Sequence, residues 1–143
     1  MTVRTMIVED EIFIALDLED AVEGIGHKCV GIAGDSRTAL QLAPEADLAL
    51  VDLNLSDGPT GKALGRRLAE EFGITVLFIT ANPAQLQGGI PGTLGVLPKP
   101  VTHDDVKAAI EFALMASTDP TVPPPGRLQL FNRPAGGQAE TNA

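Results

Sequence analysis

The chain has 143 residues, which suits one domain with its own core, and Trp and Tyr are absent, so that core must be built from aliphatic side chains. Its 19 Asp and Glu against 10 Lys and Arg give a formal charge of −9, which excludes a nucleic-acid surface and suits a divalent cation wherever the acids cluster. The one cysteine, Cys29, excludes an internal disulfide, and no stretch is long or apolar enough to span a bilayer. The N-terminus reaches a strand within a few residues, too soon for a signal peptide, so a cytoplasmic protein is expected, with no membrane and no nucleic-acid partner.

Strand-like and helix-like periodicity alternate along the chain. Val3 to Val8 reads as a first strand, and Ile12, Leu16, Ala21, Val22 and Ile25 place an apolar stripe on a helix over 12–25 that Gly24 and Gly26 end. Lys28 to Ala33 reads as a second strand, with Cys29 as a small core residue after a turn at His27. Asp35 or Ser36 caps a helix through Leu42, and Leu48 to Asp52 is a strongly apolar third strand. A helix over 61–72 turns Ala63, Leu64, Leu68 and Phe72 inward and leaves Arg66 and Arg67 in solvent. Ile74 to Thr80 is a fourth strand and Gly95 to Leu97 a short fifth. Between them, residues 83–92 hold two prolines and three glycines where a helix belongs, so at most a turn around Ala84–Gln87 is predicted. Thr102 caps a last helix over 104–115, with His103 in its first turn and Val106, Ile110, Ala113 and Leu114 inward. These elements form a domain over 1–116. Residues 117–143, rich in Pro and Gly, read as a flexible tail, although Arg127 to Phe131 alternates as a strand does and suits docking on a sheet edge.

Strands alternating with helices, and apolar throughout, imply an α/β doubly wound parallel sheet covered on both faces. In such sheets ligands bind outside the carboxyl ends of the strands. Four strand ends here carry chemistry: Glu9-Asp10-Glu11 after the first, Asp52 after the third, Thr80 after the fourth and Lys99 after the fifth. If the strands are parallel, an acid pair, a lone acid, a hydroxyl and an amine converge, a set suited to Mg²⁺-assisted phosphoryl transfer to Asp52.

Met6-Ile7-Val8-Glu9-Asp10-Glu11, Leu50-Val51-Asp52-Leu53-Asn54-Leu55, Phe78-Ile79-Thr80-Ala81 and Leu97-Pro98-Lys99-Pro100 resemble, in order, the signature blocks of the receiver domain of two-component response regulators. The resemblance covers about 3–116. Ile14 to Glu19 and Asp57-Gly58-Pro59-Thr60-Gly61 are similar to PhyR-type receivers of alphaproteobacteria and to LovR-like stand-alone receivers. It implies a flavodoxin-like sheet of five parallel strands in the order 2-1-3-4-5, in which the prolines and glycines of 83–92 leave the fourth helix short or disordered. It implies a stand-alone phospho-acceptor in signalling, not an enzyme that turns over a substrate. Asp52 would accept the phosphoryl group. Asp10, Asp52 and the backbone carbonyl of Asn54 would hold Mg²⁺, with Glu9 binding it directly or through water. Lys99 and Thr80 would contact the phosphoryl oxygens, and the Lys99–Pro100 bond would be cis. The implied partner is a sensor histidine kinase, a LOV-type one included, or a histidine phosphotransfer protein, with the chain as a phosphate sink or relay in general stress or light signalling.

Where many receivers carry an aromatic switch, three residues before the lysine, this chain has Val96, whose β-branched side chain cannot make the same swing. Ile12, Phe13 and Leu16 are candidates for a kinase-docking face, with Leu16 read as core packing. Two other functions remain open on the residues alone. A receiver-fold interaction module that is never phosphorylated would not need the intact acid pair, Asp52, Thr80 and Lys99. A Mg²⁺-dependent phosphatase would need an acid two residues after Asp52, where Asn54 stands.

Overall fold

The computed structural model describes residues 2–131. The apolar runs form β1 (Arg4–Val8), β2 (Lys28–Ala33), β3 (Leu48–Val51), β4 (Thr75–Thr80) and β5 (Gly95–Pro98), and the amphipathic stretches form α1 (Ile12–Gly24), α2 (Ser36–Leu42), α3 (Gly61–Phe72) and α4 (His103–Ala116). These five strands are parallel in the order β2-β1-β3-β4-β5. The sheet is wider than the five strands expected, because β6 (Gln129–Leu130) adds antiparallel to the free edge of β5.

Side chains alternate across a strand, and the alternation divides the core. Ile7, Leu50, Leu77, Ile79 and Leu97 pack with α1 and α4 through Leu18, Val22, Val106 and Ile110. Met6, Val8, Val51, Phe78 and Val96 pack on the other face with Ala39, Leu64 and Leu68 of α2 and α3. Each large side chain buried this way contributes about 1.5–3 kcal/mol.

Three helix faces differ from the sequence reading. In α1 the buried residues are Ala15, Leu18, Ala21 and Val22, one step around the helix from the expected stripe, so Ile12 and Leu16 face solvent. Leu16 is 46% exposed and is therefore not core. In α3 the buried residues are Gly61, Leu64, Gly65 and Leu68, while Ala63 and Phe72 turn outward. Gly65 brings the helix close: a Cβ there would lie 2.4 Å from the ring of Phe78, which fills the space instead. In α4, Ala109 and Phe112 join the buried face and Leu114 lies only partly inside.

The caps follow local chemistry. Asp35 accepts from the Thr38 N–H to start α2, and Thr102 and Asp105 exchange hydrogen bonds as a capping box for α4. Between β4 and β5 the chain makes one 3₁₀ turn, Pro83–Leu86, and then passes through Gly88, Gly89 and Gly92 with positive φ. Only glycine adopts such angles at little cost, so no helix of useful length forms there.

His27 accepts from the Val3 N–H at 3.0 Å, and the Arg66 and Arg67 guanidiniums pair with Glu70 and Glu71 one turn on. His103 Nε2 and Asp17 Oδ1 lie 2.9 Å apart, joining α4 to α1 on the surface. The hydrogen bond to Asp17 holds the His103 imidazolium above the ordinary histidine value. The folded state therefore gains from this pair below the unfolded histidine's pKa, and the gain fades as pH rises through the raised folded value. A proton NMR titration should place His103 above 6.5, and Asp17→Asn should bring the midpoint down. A midpoint that does not move would show that Asp17 is not its partner.

The expected flexible tail from 117 needs correcting over its first half. Leu128 is buried among the α1 and α4 side chains, and Phe131 packs against the α3 face with its ring 6.4 Å from that of Phe78. The strand-like alternation of 127–131 puts successive side chains on opposite faces of the sheet. The expectation for 132–143 lies outside the described residues.

Candidate functional site

β1, β3, β4 and β5 end side by side, because their parallel register pairs Val8 with Val51, Val51 with Phe78 and Thr80 with Pro98. The residues just past these ends meet at one rim of the sheet. Glu9 and Asp52 are nearly buried, at 3% and 8% exposure, and Asp10 is exposed. One carboxylate oxygen from each of Glu9, Asp10 and Asp52 lies within 4.8 Å of the others, a spacing that can hold a metal ion.

Lys99 reaches into this cluster from the end of β5. Its Nζ donates to Glu9 Oε1 at 2.9 Å and to Asp52 Oδ2 at 3.1 Å. The remaining oxygens are bound as well: Glu9 Oε2 accepts from the Glu11 N–H at 3.0 Å, and Asp52 Oδ1 from the Leu53 N–H at 2.7 Å. Burial pushes the Glu9 carboxyl up, and the bonds from Lys99 and Glu11 only partly offset it. For Lys99, burial works against the ammonium, but the hydrogen bonds to Glu9 and Asp52 outweigh it and hold the pKa above the ordinary lysine value.

An ammonium already sits between two of the acids, so the cluster is built for positive charge. Two nearly buried carboxylates offer hard oxygen ligands, and the exposed third, Asp10, is not spent on the helix start, because Glu11 and not Asp10 caps α1. This donor set fits a hard divalent ion such as Mg²⁺, which keeps several waters and takes few carboxylates.

Thr80 is buried, and its hydroxyl oxygen accepts from the Asn82 N–H at 3.0 Å, which leaves its proton to give. Its carbonyl accepts from the Lys99 N–H at 2.8 Å, tying the two strand ends together. The Lys99–Pro100 bond is cis. Asn54 is exposed in the loop after Asp52. That loop is closed by paired hydrogen bonds between Leu55 and Gly58 and held to Gly34 by Ser56. Val96 is buried in β5 and points into the α3 side of the core.

Two features escaped the sequence reading. Glu9 grips Lys99 directly, across 90 residues of chain, which no local pattern reveals. The other is Gly61, whose N–H donates to the Leu53 carbonyl and whose missing side chain lets α3 touch the Asp52 loop. Cys29 is half-buried, and burial pushes its thiol up to about 11, so it is not a reactive thiolate.

No protein-family model matches the chain. It is 38% identical over 118 residues to the phyllosphere-induced regulator PhyR of Methylorubrum extorquens, an alignment covering 80% of this chain and 44% of that one. The receiver domain of the Erythrobacter litoralis PhyR response regulator superposes with a TM-score of 0.74 at 29% identity, covering 85% of this chain and 97% of that one. PhyR from Bartonella quintana, described as an anti-anti-sigma factor, superposes with a TM-score of 0.70 at 34% identity, covering 82% and 49%. The chain thus spans about half the length of the full PhyR proteins it matches. Fold, strand-end chemistry and likeness agree: the chain belongs to the receiver-domain family of response regulators.

Proposed function

We propose that Asp52 accepts a phosphoryl group from a phosphohistidine on a sensor histidine kinase or a histidine phosphotransfer protein. The observation that carries this reading is the Lys99 ammonium bridging Glu9 and Asp52, residues 90 and 47 positions away in sequence, at the carboxyl rim of a parallel sheet. A carboxylate oxygen of Asp52 attacks phosphorus, the P–N bond to the imidazole breaks, and the leaving imidazole takes up a proton. Bringing a carboxylate to a phosphoryl group sets like charges together. Glu9, Asp10, Asp52 and the Asn54 carbonyl would hold Mg²⁺, which when bound offsets the negative charge on acceptor and donor. Lys99 turns from its carboxylate partners to the phosphoryl oxygens, and Thr80 gives its hydroxyl proton to one of them. Positioning and charge stabilisation then supply the catalysis.

The donor docks, in this reading, where α1 meets the Lys99 loop. An open groove of about 680 Å³ runs there, lined by Phe13, Ile14, Leu18, Ala81, Pro100 and Val101. Phe13 is 79% exposed and Ile12 53%, an unusual amount of apolar surface beside a charged site. Likeness to PhyR favours a role in general stress signalling, and the resemblance of Ile14 to Glu19 to LovR-like receivers favours a phosphoryl sink or relay, with a LOV-type kinase among the candidate donors. A cytoplasmic setting follows from that donor, and no helix among the described residues is long and apolar enough to cross a membrane.

The test is intact-protein mass after incubation with acetyl phosphate and Mg²⁺. One added phosphoryl group is expected, absent without metal and absent in Asp52→Asn. No mass gain, together with no binding of beryllofluoride, would replace this reading with a receiver-fold interaction module that is not phosphorylated.

A further inference from the structure

After α4 the chain doubles back along the edge of the sheet. Gly95 pairs with Leu130 and Val96 with Gln129, and the Phe131 N–H donates to the Leu94 carbonyl at 3.0 Å. Leu128 anchors this return in the core. The edge is fitted to its strand: a Cβ on Gly95 would lie 2.4 Å from the Gln129 carbonyl oxygen, so only glycine admits β6 in this register.

Just before β6, Arg127 grips the loop that carries Lys99. Its Nη2 donates to the Pro98 carbonyl at 2.8 Å, and its Nη1 to the Pro100 carbonyl at 2.7 Å and to Asp105 Oδ2 at 2.6 Å. The two carbonyls flank Lys99 on either side. The prolines have no N–H to hold the loop themselves, so of the backbone donors here only the Lys99 N–H remains, and it is bonded to Thr80. Asp105 belongs to the capping box of α4, so the guanidinium also ties the loop to the start of that helix. A planar fork of donors spans such an arrangement, and a single ammonium does not.

We infer that Arg127 is a positioning residue for Lys99, so that docking of β6 on the β5 edge sets how well the site handles a phosphoryl group. This inference rests on the proposed role of Asp52. The coupling runs over one short loop: β6 docked, Arg127 bonded to both carbonyls, Lys99 aimed between Glu9 and Asp52. Release of β6 frees the loop and lets the ammonium wander. Glu9, Asp10 and Asp52 follow β1 and β3, away from this edge, so the metal-binding carboxylates stay in place, and an ammonium that leaves Glu9 and Asp52 does not weaken their hold on a cation.

Three variants test it: Arg127→Ala, Arg127→Lys, and Gly95→Ala, which dislodges β6 while leaving Arg127 in the chain. Phosphoryl uptake from acetyl phosphate should fall about 10-fold in Arg127→Ala, within the roughly 100-fold that a small misplacement can cost, while Mg²⁺ affinity does not fall. Arg127→Lys should recover part of the rate. Gly95→Ala should lose as much as Arg127→Ala, and the two together no more than either. Placed in a Lys99→Met background, Arg127→Ala should cost nothing further, the mark of acting through Lys99. Parent-like uptake in Arg127→Ala, or the same loss with Lys99 absent, overturns the inference. Amide exchange at Lys99 decides the contact without any phosphoryl chemistry. Arg127→Ala should speed it at least about 10-fold, the equivalent of about 1.4 kcal/mol, with Ile7 and Leu50 unchanged, and an unchanged rate overturns the inference as well. A parent protein that takes no phosphoryl group would instead overturn the reading of Asp52.

Discussion

Lys99→Met should destabilise the protein by about 3–5 kcal/mol at neutral pH, the usual cost of removing one partner from a buried ion pair. The Glu9 and Lys99 side chains are 2% and 18% exposed, so solvent screens their pairing little. Asp52 loses the same cation. The pH dependence gives the mechanism away. Burial already holds the folded Glu9 above its ordinary 4.5, and without Lys99 a hydrogen bond that pulls it down is gone, so it rises further. A carboxyl raised on folding contributes stability below its unfolded pKa and loses it as pH climbs through the folded value. The deficit of Lys99→Met should therefore be small in acid and grow as pH rises from 4.5 through the raised Glu9 value. Urea melts across that range measure it, and Mg²⁺ should restore part of the loss by supplying positive charge. A deficit independent of pH and of Mg²⁺ would mean that the ion pair is not its source. Phosphoryl uptake should fall in the same variant, because the charge that meets the phosphoryl oxygens is gone.

Gly61→Ala should be nearly as damaging, by a different route. A Cβ at 61 would sit 2.1 Å from the Asp52 carbonyl oxygen and 2.6 Å from the Leu53 Cα, contacts that are all backbone. No side chain can swing away to relieve them. Either α3 withdraws from β3 or the chain at Asp52 moves. Overpacking of this kind costs about 1–3 kcal/mol, and the rigid surroundings put this site at the upper end. Because the displaced atoms carry Asp52, uptake from acetyl phosphate should fall by as much as 100-fold even where the variant folds. Denaturation midpoint and mass gain, measured on the same preparation, separate the two effects. A stable variant that is phosphorylated at the parent rate would show that the loop gives way without moving the acid.

These effects involve residues of two kinds, those legible in sequence and those that are not. The apolar runs that end in Glu9-Asp10, Asp52, Thr80 and Lys99 can be read directly, since an uninterrupted apolar strand signals burial on both faces and residues beyond its end fall at the rim. Local chemistry likewise determined the caps Asp35 and Thr102, the weak turn at 83–86 and the burial of Val96 in place of an aromatic. Helix faces were less legible. Ile12 and Leu16 lie one step from Ala15 and Leu18 on α1, and periodicity alone does not say which of two adjacent apolar stripes meets the sheet.

Only the tertiary structure decided the rest, because those contacts join chain segments with no local signature. Glu9 holds Lys99 because β1 and β5 end at the same rim. Gly61 and Gly95 matter because another backbone passes within van der Waals reach, and a glycine in a sequence does not announce its neighbour. The composition of 117–131 reads as tail, yet Leu128, Phe131 and the Arg127 fork find partners along the outer edge of β5, the last of the parallel strands. Sequence by itself determined which chemistry stands at the strand ends, since that depends on residue type and local burial. How those groups are held was settled by packing between distant segments, which exists only once the sheet has closed.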